Sequence, residues 1–417
     1  MIKELCIKAK AAAAELALLS TEKKRAALLL MADHLMEYSD KIIAANEVDV
    51  REAGAAGLSG SMLDRLALNE SRIAGIVSDL RSVANLPDPV GETFEEKDTS
   101  DGLHVYKQRV PLGVLAVIYE ARPNVTVDIT GLALKSGNAV ILRGGSETLN
   151  TNRVLVRIIR QAMDEAGLPA NGVQFIDNPD RALVGELLKM YDYVDMLIPR
   201  GGAALHKFCR ENSMIPVITG GIGICHLYVD QTADLAASVK VIQNAKVQRP
   251  SVCNALDTVL LHKEIAVEAL PWIINTLSKD GVSFHLDAKA IALYGNENNA
   301  VQQASPDDFD KEWLSLNLSI KIVDGLDEAM EHIRAHGTAH SDGILTANQE
   351  HAQRFMNEVD SACVYVNSST RFTDGSKLGL GAEVAISTQK LHARGPMALH
   401  EMTTYKWVIQ GDYHIRQ

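Results

Sequence analysis

The chain has 417 residues, of which 47% are hydrophobic and 23% are charged. This composition is typical of a globular protein and excludes a disordered or fibrous chain, and the length predicts two or three domains with a large core. Asp and Glu number 53 against 41 Lys and Arg, a formal net charge of −12, so we expect no nucleic-acid partner, because such a surface repels phosphate backbones.

The N-terminal residues 1–85 have the periodicity of helices. Apolar residues recur at helical spacing over 12–19 and again over 27–35, and Ser20 and Thr21 are candidate N-caps for the second helix. Glu4 and Lys8 interrupt the first apolar stretch, which a signal peptide would not tolerate. Apolar runs stay far below the ~20 residues that a membrane-spanning helix needs, so we expect a cytoplasmic protein without a membrane partner.

Strand-like apolar runs then alternate with helical segments. The first set of predicted strands covers 114–119, 139–142, 173–176, 194–198 and 215–218, with helices near 148–166, 180–190 and 202–212. A second set covers 258–261, 318–323, 343–346 and 364–366, with helices near 264–279, 326–336 and 349–358. Continuous apolar strands between helices indicate βαβ units, so we expect a doubly wound, Rossmann-like sheet and a second α/β domain.

Glycine pairs follow two of the predicted strands, Gly144 and Gly145 in the turn 143–147 and Gly201 and Gly202 in the turn 200–203. Glycines at the carboxyl end of a parallel strand are where a dinucleotide usually binds. The GxGxxG and P-loop patterns are absent from the sequence. From the residues alone, these turns either bind a nucleotide or simply connect a strand to a helix.

The five cysteines are odd in number and none is spaced as CxxC, which disfavours both a disulfide framework and a cysteine zinc site. Four of them fit small buried residues of helices and strands: Cys6, Cys209, Cys225 and Cys363. Cys253 instead lies in a polar turn between a predicted helix and strand, where Lys246 and Arg249 would favour its thiolate if they face inward. Cys253 is therefore a candidate nucleophile, with a structural cysteine as the alternative.

Histidines and arginines give two further patterns. His332, His336 and His340 recur every four residues, but Gly337 is predicted to end their helix and no acid or thiol adjoins them, so we expect no metal site. Three arginines lie in loops rich in Gly, Pro, Ser or Thr: Arg122, Arg371 and Arg394. Arginine at the surface is common, but a guanidinium also pairs well with carboxylate or phosphate, which would suit an anionic substrate.

Four stretches together, 111–128, 134–147, 248–258 and 364–404, resemble the aldehyde dehydrogenase superfamily, and within it the gamma-glutamyl phosphate reductases. The resemblance covers nearly the whole chain. It implies an α/β fold with a Rossmann-like cofactor domain, a second α/β catalytic domain and a small oligomerisation flap. The expected boundaries are 1–97 and 110–222 for the NADP-binding domain and 223–396 for the catalytic domain. The outlying strand-like segments 98–109 and 397–417 would form the oligomerisation strands.

The resemblance also implies residue roles. Cys253 matches the catalytic cysteine, and Asn124 the asparagine whose amide donates to the substrate oxygen. Arg143 and Ser146, with the glycines between them, resemble the loop that holds the adenosine ribose, where an arginine and a hydroxyl suit NADP(H) better than NAD(H). Gly201 and Gly202 are further candidates for cofactor binding, and Glu312 resembles the glutamate at the nicotinamide ribose. Arg122, Arg371 and Arg394 would hold the anionic ends of the substrate.

The expected reaction is the NADPH-dependent reduction of L-glutamyl 5-phosphate to L-glutamate 5-semialdehyde and phosphate through a cysteine thioester, the second step of proline biosynthesis. The expected partners are a small-molecule substrate, further copies of the chain and, transiently, glutamate 5-kinase. One alternative is a general aldehyde dehydrogenase. Another is a nucleotide-binding scaffold with a decayed site, which the presence of Cys253 and Asn124 disfavours. The turn 216–224 contains no carboxylate or histidine, so it supplies no base to activate water.

Overall fold

The chain divides into two structural units in the computed structural model, which describes residues 1–58, 60–220, 222–295 and 298–416. The first unit comprises Met1–Thr219, Gly379–Ala385 and Met397–Gln417, and the second comprises Gly220–Leu378 and Ile386–Pro396. Residues 379–385, which the sequence assigned to the catalytic domain, thus lie in the first unit.

The first unit begins with helices, as predicted. They are α1 (Ile2–Leu16), α2 (Thr21–Glu37), α3 (Ser39–Ala55), α4 (Gly60–Leu66) and α5 (Glu70–Asn85). The buried residues of α1 include Ile2, Cys6, Ala9 and Leu16, which share one face of an amphipathic helix. The Ser20 hydroxyl caps α2 by accepting a hydrogen bond from the Lys23 N–H at 3.3 Å, so the predicted cap is confirmed.

Strands β1 (Thr93–Asp98) and β2 (His104–Pro111) come next, and the parallel βαβ part of the first unit follows. Its elements are β3 (Val114–Tyr119), α6 (Asn124–Lys135), β4 (Ala139–Gly144), α7 (Leu149–Glu165), β5 (Val173–Phe175), α8 (Ala182–Leu187), β6 (Met196–Arg200) and α9 (Ala203–Asn212). The strands form a parallel sheet in the order β5-β4-β3-β6. Every residue of β3 and β4 is buried, as expected of strands covered on both faces.

The strand order reverses next to β3. The chain steps from β3 through β4 to β5 on one side, and then crosses to β6 on the other side of β3. The carboxyl ends of β3, β4 and β6 therefore meet, with Tyr119 paired to both Gly144 and Arg200. In doubly wound sheets, ligands bind at such a reversal.

The strand predicted over 215–218 is wrong. This segment pairs with β6 only through an isolated bridge between Leu197 and Val217. Pro216 has no N–H to extend the ladder, so the apolar run continues as irregular structure.

The second unit is also α/β. Its elements are β7 (Cys225–Val229), α10 (Leu235–Val247), β8 (Leu256–His262), α11 (Lys263–Leu277), β9 (Ser283–Leu286), α12 (Ala288–Tyr294), β10 (Val301–Gln303), β11 (Asn317–Val323), α13 (Leu326–His336), β12 (Ser341–Leu345), α14 (Gln349–Glu358) and β13 (Cys363–Val366). All neighbouring strands are parallel, in the order β10-β9-β11-β8-β7-β12-β13. One buried cluster includes Val259, Leu270 and Phe284, and the other includes Leu260 and Phe355.

The remaining strands are β14 (Ala385–Ser387), β15 (Gly395–Met397) and β16 (Thr403–Gln410). β16 pairs antiparallel with β2, which pairs with β1. The segment 98–109 therefore contains the turn between β1 and β2 as well as a strand. No helix within the described ranges is long and apolar enough to cross a membrane.

Candidate active site

Cys253 lies in the turn between α10 and β8, where the sequence predicted it. It forms no disulfide and is partly exposed. The Cys253 carbonyl accepts a hydrogen bond from the Cys225 thiol, with Sγ and O 3.3 Å apart. The next residue, Asn254, donates from Nδ2 to the Thr373 carbonyl at 2.8 Å, and its own carbonyl accepts from the Thr370 hydroxyl at 2.7 Å. The turn is thus anchored at Cys253 and Asn254, and Cys253 remains partly exposed.

Lys246 faces inward, but a carboxylate balances its charge. Its ammonium donates to the Leu256 carbonyl at 2.8 Å and lies 3.6 Å from the Asp257 carboxylate. Burial lowers the pKa of Lys246 while Asp257 opposes that shift, and burial raises the pKa of Asp257 to about 6. Lys246 and Asp257 therefore form a buried ion pair, in which Asp257 lies directly after the turn.

Arg371 is the predicted substrate arginine that the fold brings to this turn. It lies between Thr370 and Thr373, the two residues that hold Asn254, and its Nε donates to the Gln248 side chain at 2.9 Å. Burial and the nearby Arg249 lower the pKa of Arg371, while the Cys253 thiol acts in the opposite direction. A cationic group therefore adjoins the thiol.

The turn before β7 packs directly on the turn that contains Cys253. A Cβ on Gly223 would lie 1.6 Å from the Cys253 carbonyl oxygen, so only glycine allows this approach. The Gly223 N–H donates to Glu312 at 3.0 Å, and burial raises the pKa of Glu312 to about 7. Position 221, part of the turn 216–224, lies outside the described residues.

In the first unit, the predicted cofactor residues lie at the strand reversal. Gly201 and Gly202 follow β6, and the Gly202 N–H donates to the Glu120 carboxylate at 3.0 Å. A Cβ on Gly202 would meet no atom within 4 Å, so the start of α9 is open. Ser146 is exposed after β4, whereas the neighbouring Glu147 carboxylate turns back to accept from the Ala121 N–H at 2.7 Å.

Arg143, at the end of β4, is buried and bonded to backbone. Its two terminal nitrogens donate to the Gly144 carbonyl at 3.0 Å and the Pro179 carbonyl at 2.9 Å. Burial lowers the pKa of Arg143, and the Glu147 carboxylate opposes that shift. The arginine therefore organises the turn that carries Ser146.

Asn124 is the first residue of α6, two positions after Arg122. Its side-chain amide donates to the Asp128 carboxylate at 2.8 Å, one helical turn further along. Burial raises the pKa of Asp128 to about 6. One of the two Nδ2 protons of Asn124 is thus engaged within the helix.

The aldehyde dehydrogenase family model matches residues 1–289. The chain belongs to the aldehyde dehydrogenase family. The gamma-glutamyl phosphate reductases of Cronobacter sakazakii and Escherichia fergusonii are 55% and 56% identical to it over 416 residues, with 100% of each chain covered. The crystal structure of gamma-glutamyl phosphate reductase from Thermotoga maritima is 45% identical, covers 100% of both chains and gives a TM-score of 0.97. The resemblance inferred from the sequence is confirmed, and so is the fold class.

As an aldehyde dehydrogenase family member the chain is an oxidoreductase, and the family implies a nicotinamide cofactor.

The bonds of Arg394 are made away from the Cys253 turn. Its guanidinium forms a 2.5 Å ion pair with Asp360, which also binds Lys390 at 2.6 Å. No role was predicted for Glu120 and Asp128 of the first unit, although both lie in the stretch 111–128. The i, i+4 spacing of Asn124 and Asp128 is a signal that could have revealed the second.

The three histidines do not form a metal site. His332 and His336 lie on α13, which ends before Gly337 as predicted. Burial lowers the pKa of His332 to about 2, so it stays neutral. Among the residues that the structure describes, no group of three or more His, Cys, Asp or Glu is arranged to hold a metal ion.

Gly223→Ala is expected to displace Cys253 and lower kcat by at least about tenfold, because a shift of ~1 Å at reacting atoms can cost ~10²-fold. Steady-state kinetics and thermal melting measure the effect. Gly75→Ala is the matched control: Gly75 lies within α5 and a Cβ there meets no atom within 4 Å, so activity should persist and the melting temperature should hold or rise. Unchanged activity in Gly223→Ala would show that the approach to Cys253 has no catalytic importance.

Proposed function

We propose that the protein reduces L-glutamyl 5-phosphate to L-glutamate 5-semialdehyde and phosphate, with NADPH, in the second step of proline biosynthesis. The observation that carries this proposal is the sequence similarity to gamma-glutamyl phosphate reductases along the whole chain, with 55% identity over 416 residues to the one from Cronobacter sakazakii. The partly exposed Cys253 in its anchored turn supports the same function, since it provides a nucleophile at the family's catalytic position.

Cys253 attacks the acyl phosphate carbonyl as the thiolate. The C–O bond to phosphate breaks, inorganic phosphate leaves and a thioester remains on Sγ. Two easier steps thereby replace a difficult one. After reduction of the thioester, the thiohemiacetal releases the aldehyde and returns the electron pair to Sγ.

Both steps develop negative charge on the same substrate oxygen. We assign its stabilisation to the Asn124 amide and the Cys253 N–H. One such donor is typically worth ~3 kcal/mol in the transition state. In the structure Asn124 retains a second Nδ2 proton beyond the one bonded to Asp128.

The edge of the first unit's parallel sheet fits a nicotinamide dinucleotide. Gly202 leaves open space at the start of α9. The exposed Ser146 presents a hydroxyl that can donate to a 2′-phosphate, and this hydroxyl lies 3.5 Å from the Glu147 carboxylate. We propose that Arg143, Gly144, Gly145, Ser146, Gly201 and Gly202 hold NADP(H), with Glu312 at the nicotinamide ribose. Bound NADPH would supply the hydride.

Arginines would hold the anionic ends of the substrate. Arg371 adjoins the Cys253 turn, so we assign it to the phosphate that leaves. We assign the α-carboxylate to Arg122 and Arg394, of which Arg394 also pairs with Asp360. A bidentate guanidinium contact is poorly replaced by lysine.

Self-association belongs to the same proposal. β16 leaves one edge unpaired within the described three-stranded sheet, and its Tyr405, Trp407 and Ile409 are 47%, 50% and 62% exposed. Exposed apolar strands usually find partners, so we propose a homo-oligomer. Transient contact with glutamate 5-kinase and a cytoplasmic location remain expectations from the sequence.

Arg143→Ala is expected to raise the KM for NADPH more than that for NADH, because Arg143 holds the turn that carries Ser146, the residue proposed to face the 2′-phosphate. The melting temperature should also fall, since two backbone carbonyls lose their donor. Kinetics with each cofactor measure the first effect. Arg153→Ala, which removes an exposed pair with Asp177, is the control and should leave both KM values unchanged. Equal effects on the two cofactors would contradict the assignment of Arg143.

The reverse reaction tests the proposed function directly. Purified protein is incubated with L-glutamate 5-semialdehyde, phosphate and NADP, and NADPH is followed by its absorbance. Rapid NADPH formation with L-glutamyl 5-phosphate as product supports the proposal. Turnover of unrelated aldehydes at comparable kcat/KM, with the semialdehyde a poor substrate, would replace it with a general aldehyde dehydrogenase.

A further inference from the structure

We propose that Asp128 is a positioning residue that fixes the Asn124 amide in the orientation that donates to the substrate oxygen. The inference rests on the proposed function, in which Asn124 is that donor. Asn124 Nδ2 lies 2.8 Å from Asp128 Oδ2. Asn124 and Asp128 are one helical turn apart at the start of α6, so their side chains share a face.

A carboxylate determines which end of the amide faces it. An ionised carboxyl group only accepts hydrogen bonds, so it binds the NH₂ end of Asn124 and repels Oδ1. The second Nδ2 proton then remains to donate elsewhere. A neutral acid or amide at position 128 accepts and donates, and therefore allows the flipped orientation as well. The carboxylate charge is what removes that ambiguity.

The first turn of α6 is held firmly around this pair. Thr126, between Asn124 and Asp128, is buried; its hydroxyl contacts the Tyr119 hydroxyl at 2.6 Å and donates to the Asn152 side chain at 2.7 Å. The Asn124 backbone therefore has little freedom, and the remaining variable is the rotation of its amide. Asp128 acts on that variable.

The surroundings of Asp128 do not favour its charge. Burial has the largest effect and raises the pKa of Asp128 to about 6; the hydrogen bond from Asn124 and the charge of Arg200 lower it, and the charge of Asp79 on α5 raises it. The protein thus keeps a carboxylate where an amide of the same shape would be more stable near neutral pH. A side chain that is retained although it lowers the stability of the fold is consistent with a functional role.

The test compares Asp128→Asn and Asp128→Ala in the wild type and in Asn124→Ala, using semialdehyde oxidation with phosphate and NADP. Asn124→Ala alone should lose ~10²–10³ in kcat. Each Asp128 variant should lose about 10- to 100-fold, the value of a hydrogen bond to a charged group, with KM for NADP unchanged. In Asn124→Ala neither Asp128 substitution should reduce kcat further, because there is no amide left to orient. Asp128→Glu should restore part of the activity.

Two readouts separate positioning from a structural role. The ratio of wild-type to Asp128→Asn kcat should fall towards one as the pH drops through about 6, where Asp128 becomes neutral. Asp128→Asn should also melt at a higher temperature than the wild type above that pH. The difference should vanish below about pH 3, where Asp128 is protonated in both the folded and unfolded chains.

The outcomes are distinct. If Asn124→Ala loses activity but both Asp128 variants keep wild-type kcat, or if their losses add in the double variants, the positioning role is overturned and the proposed function stands. If Asn124→Ala itself keeps wild-type kcat, the oxyanion role fails and the role of Asp128 fails with it. If Asp128→Ala does not fold, the isosteric Asp128→Asn decides the question alone.

Discussion

Cys253→Ala is expected to abolish reductase activity while NADPH still binds. The thiol forms the covalent bond to the substrate in the proposed reaction, and alanine has no nucleophile to replace it. The cofactor residues proposed on the first unit are untouched by this change. Initial rates measure the first effect, and fluorescence titration with NADPH measures the second. Removing the nucleophile of an enzyme of this type typically costs ~10⁶ in rate.

A second partly exposed cysteine provides the matched control. Cys363, at the start of β13, is also partly exposed, and Cys363→Ala should retain wild-type kcat. Alkylation with iodoacetamide should label Cys253 and should inactivate the wild type and Cys363→Ala to the same extent. Substantial turnover in Cys253→Ala would remove Cys253 as the nucleophile and leave the thioester mechanism without support.

The alternation of strands and helices could be predicted because parallel strands are buried on both faces. β3 is an unbroken apolar run and β4 begins with one over residues 139–142, and such runs between helical periods indicate a parallel sheet. β9 (Ser283–Leu286) was missed, because His285 breaks its apolar pattern. In the fold, His285 is buried, bonds to Asp308 at 2.8 Å and stacks on Trp313 with ring centroids 4.2 Å apart. A buried polar residue is predictable only once its distant partner is known.

The candidate site was likewise predictable from the sequence only in part. The polar turn around Cys253 could be identified locally, since its lysine and arginine neighbours are close in sequence. The long-range hydrogen bonds of the other candidate residues could not be predicted. Arg143 bonds to Pro179, 36 residues away, and Glu312 bonds to Gly223, 89 residues away. Such contacts depend on the sheet order, which the sequence alone did not determine.

Oxidation of L-glutamate 5-semialdehyde is expected to depend strongly on inorganic phosphate. Hydrolytic aldehyde dehydrogenases resemble this chain but carry a glutamate in the turn that corresponds to 216–224. Here that turn has no carboxylate or histidine, so water lacks a base from it. The thioester on Cys253 should then persist until inorganic phosphate attacks it. A general base commonly contributes ~10²–10⁴ in rate, so NADPH formation should fall by a comparable factor without phosphate.

Glu312, outside the turn in sequence, is a carboxylate that contacts it and is therefore a candidate base for water. It reaches the turn, but one of its oxygens accepts the Gly223 N–H at 3.0 Å, so its contact there is with backbone. Burial raises the pKa of Glu312 to about 7, so it becomes ionised across roughly pH 6–8. If it served water, phosphate-free NADPH formation would rise over that range and disappear in Glu312→Gln. We expect neither change, and we expect L-glutamyl 5-phosphate as the product when phosphate is added. Steady NADPH formation in phosphate-free buffer with free glutamate as product would instead identify a hydrolytic aldehyde dehydrogenase, since only water can release the acid from the thioester.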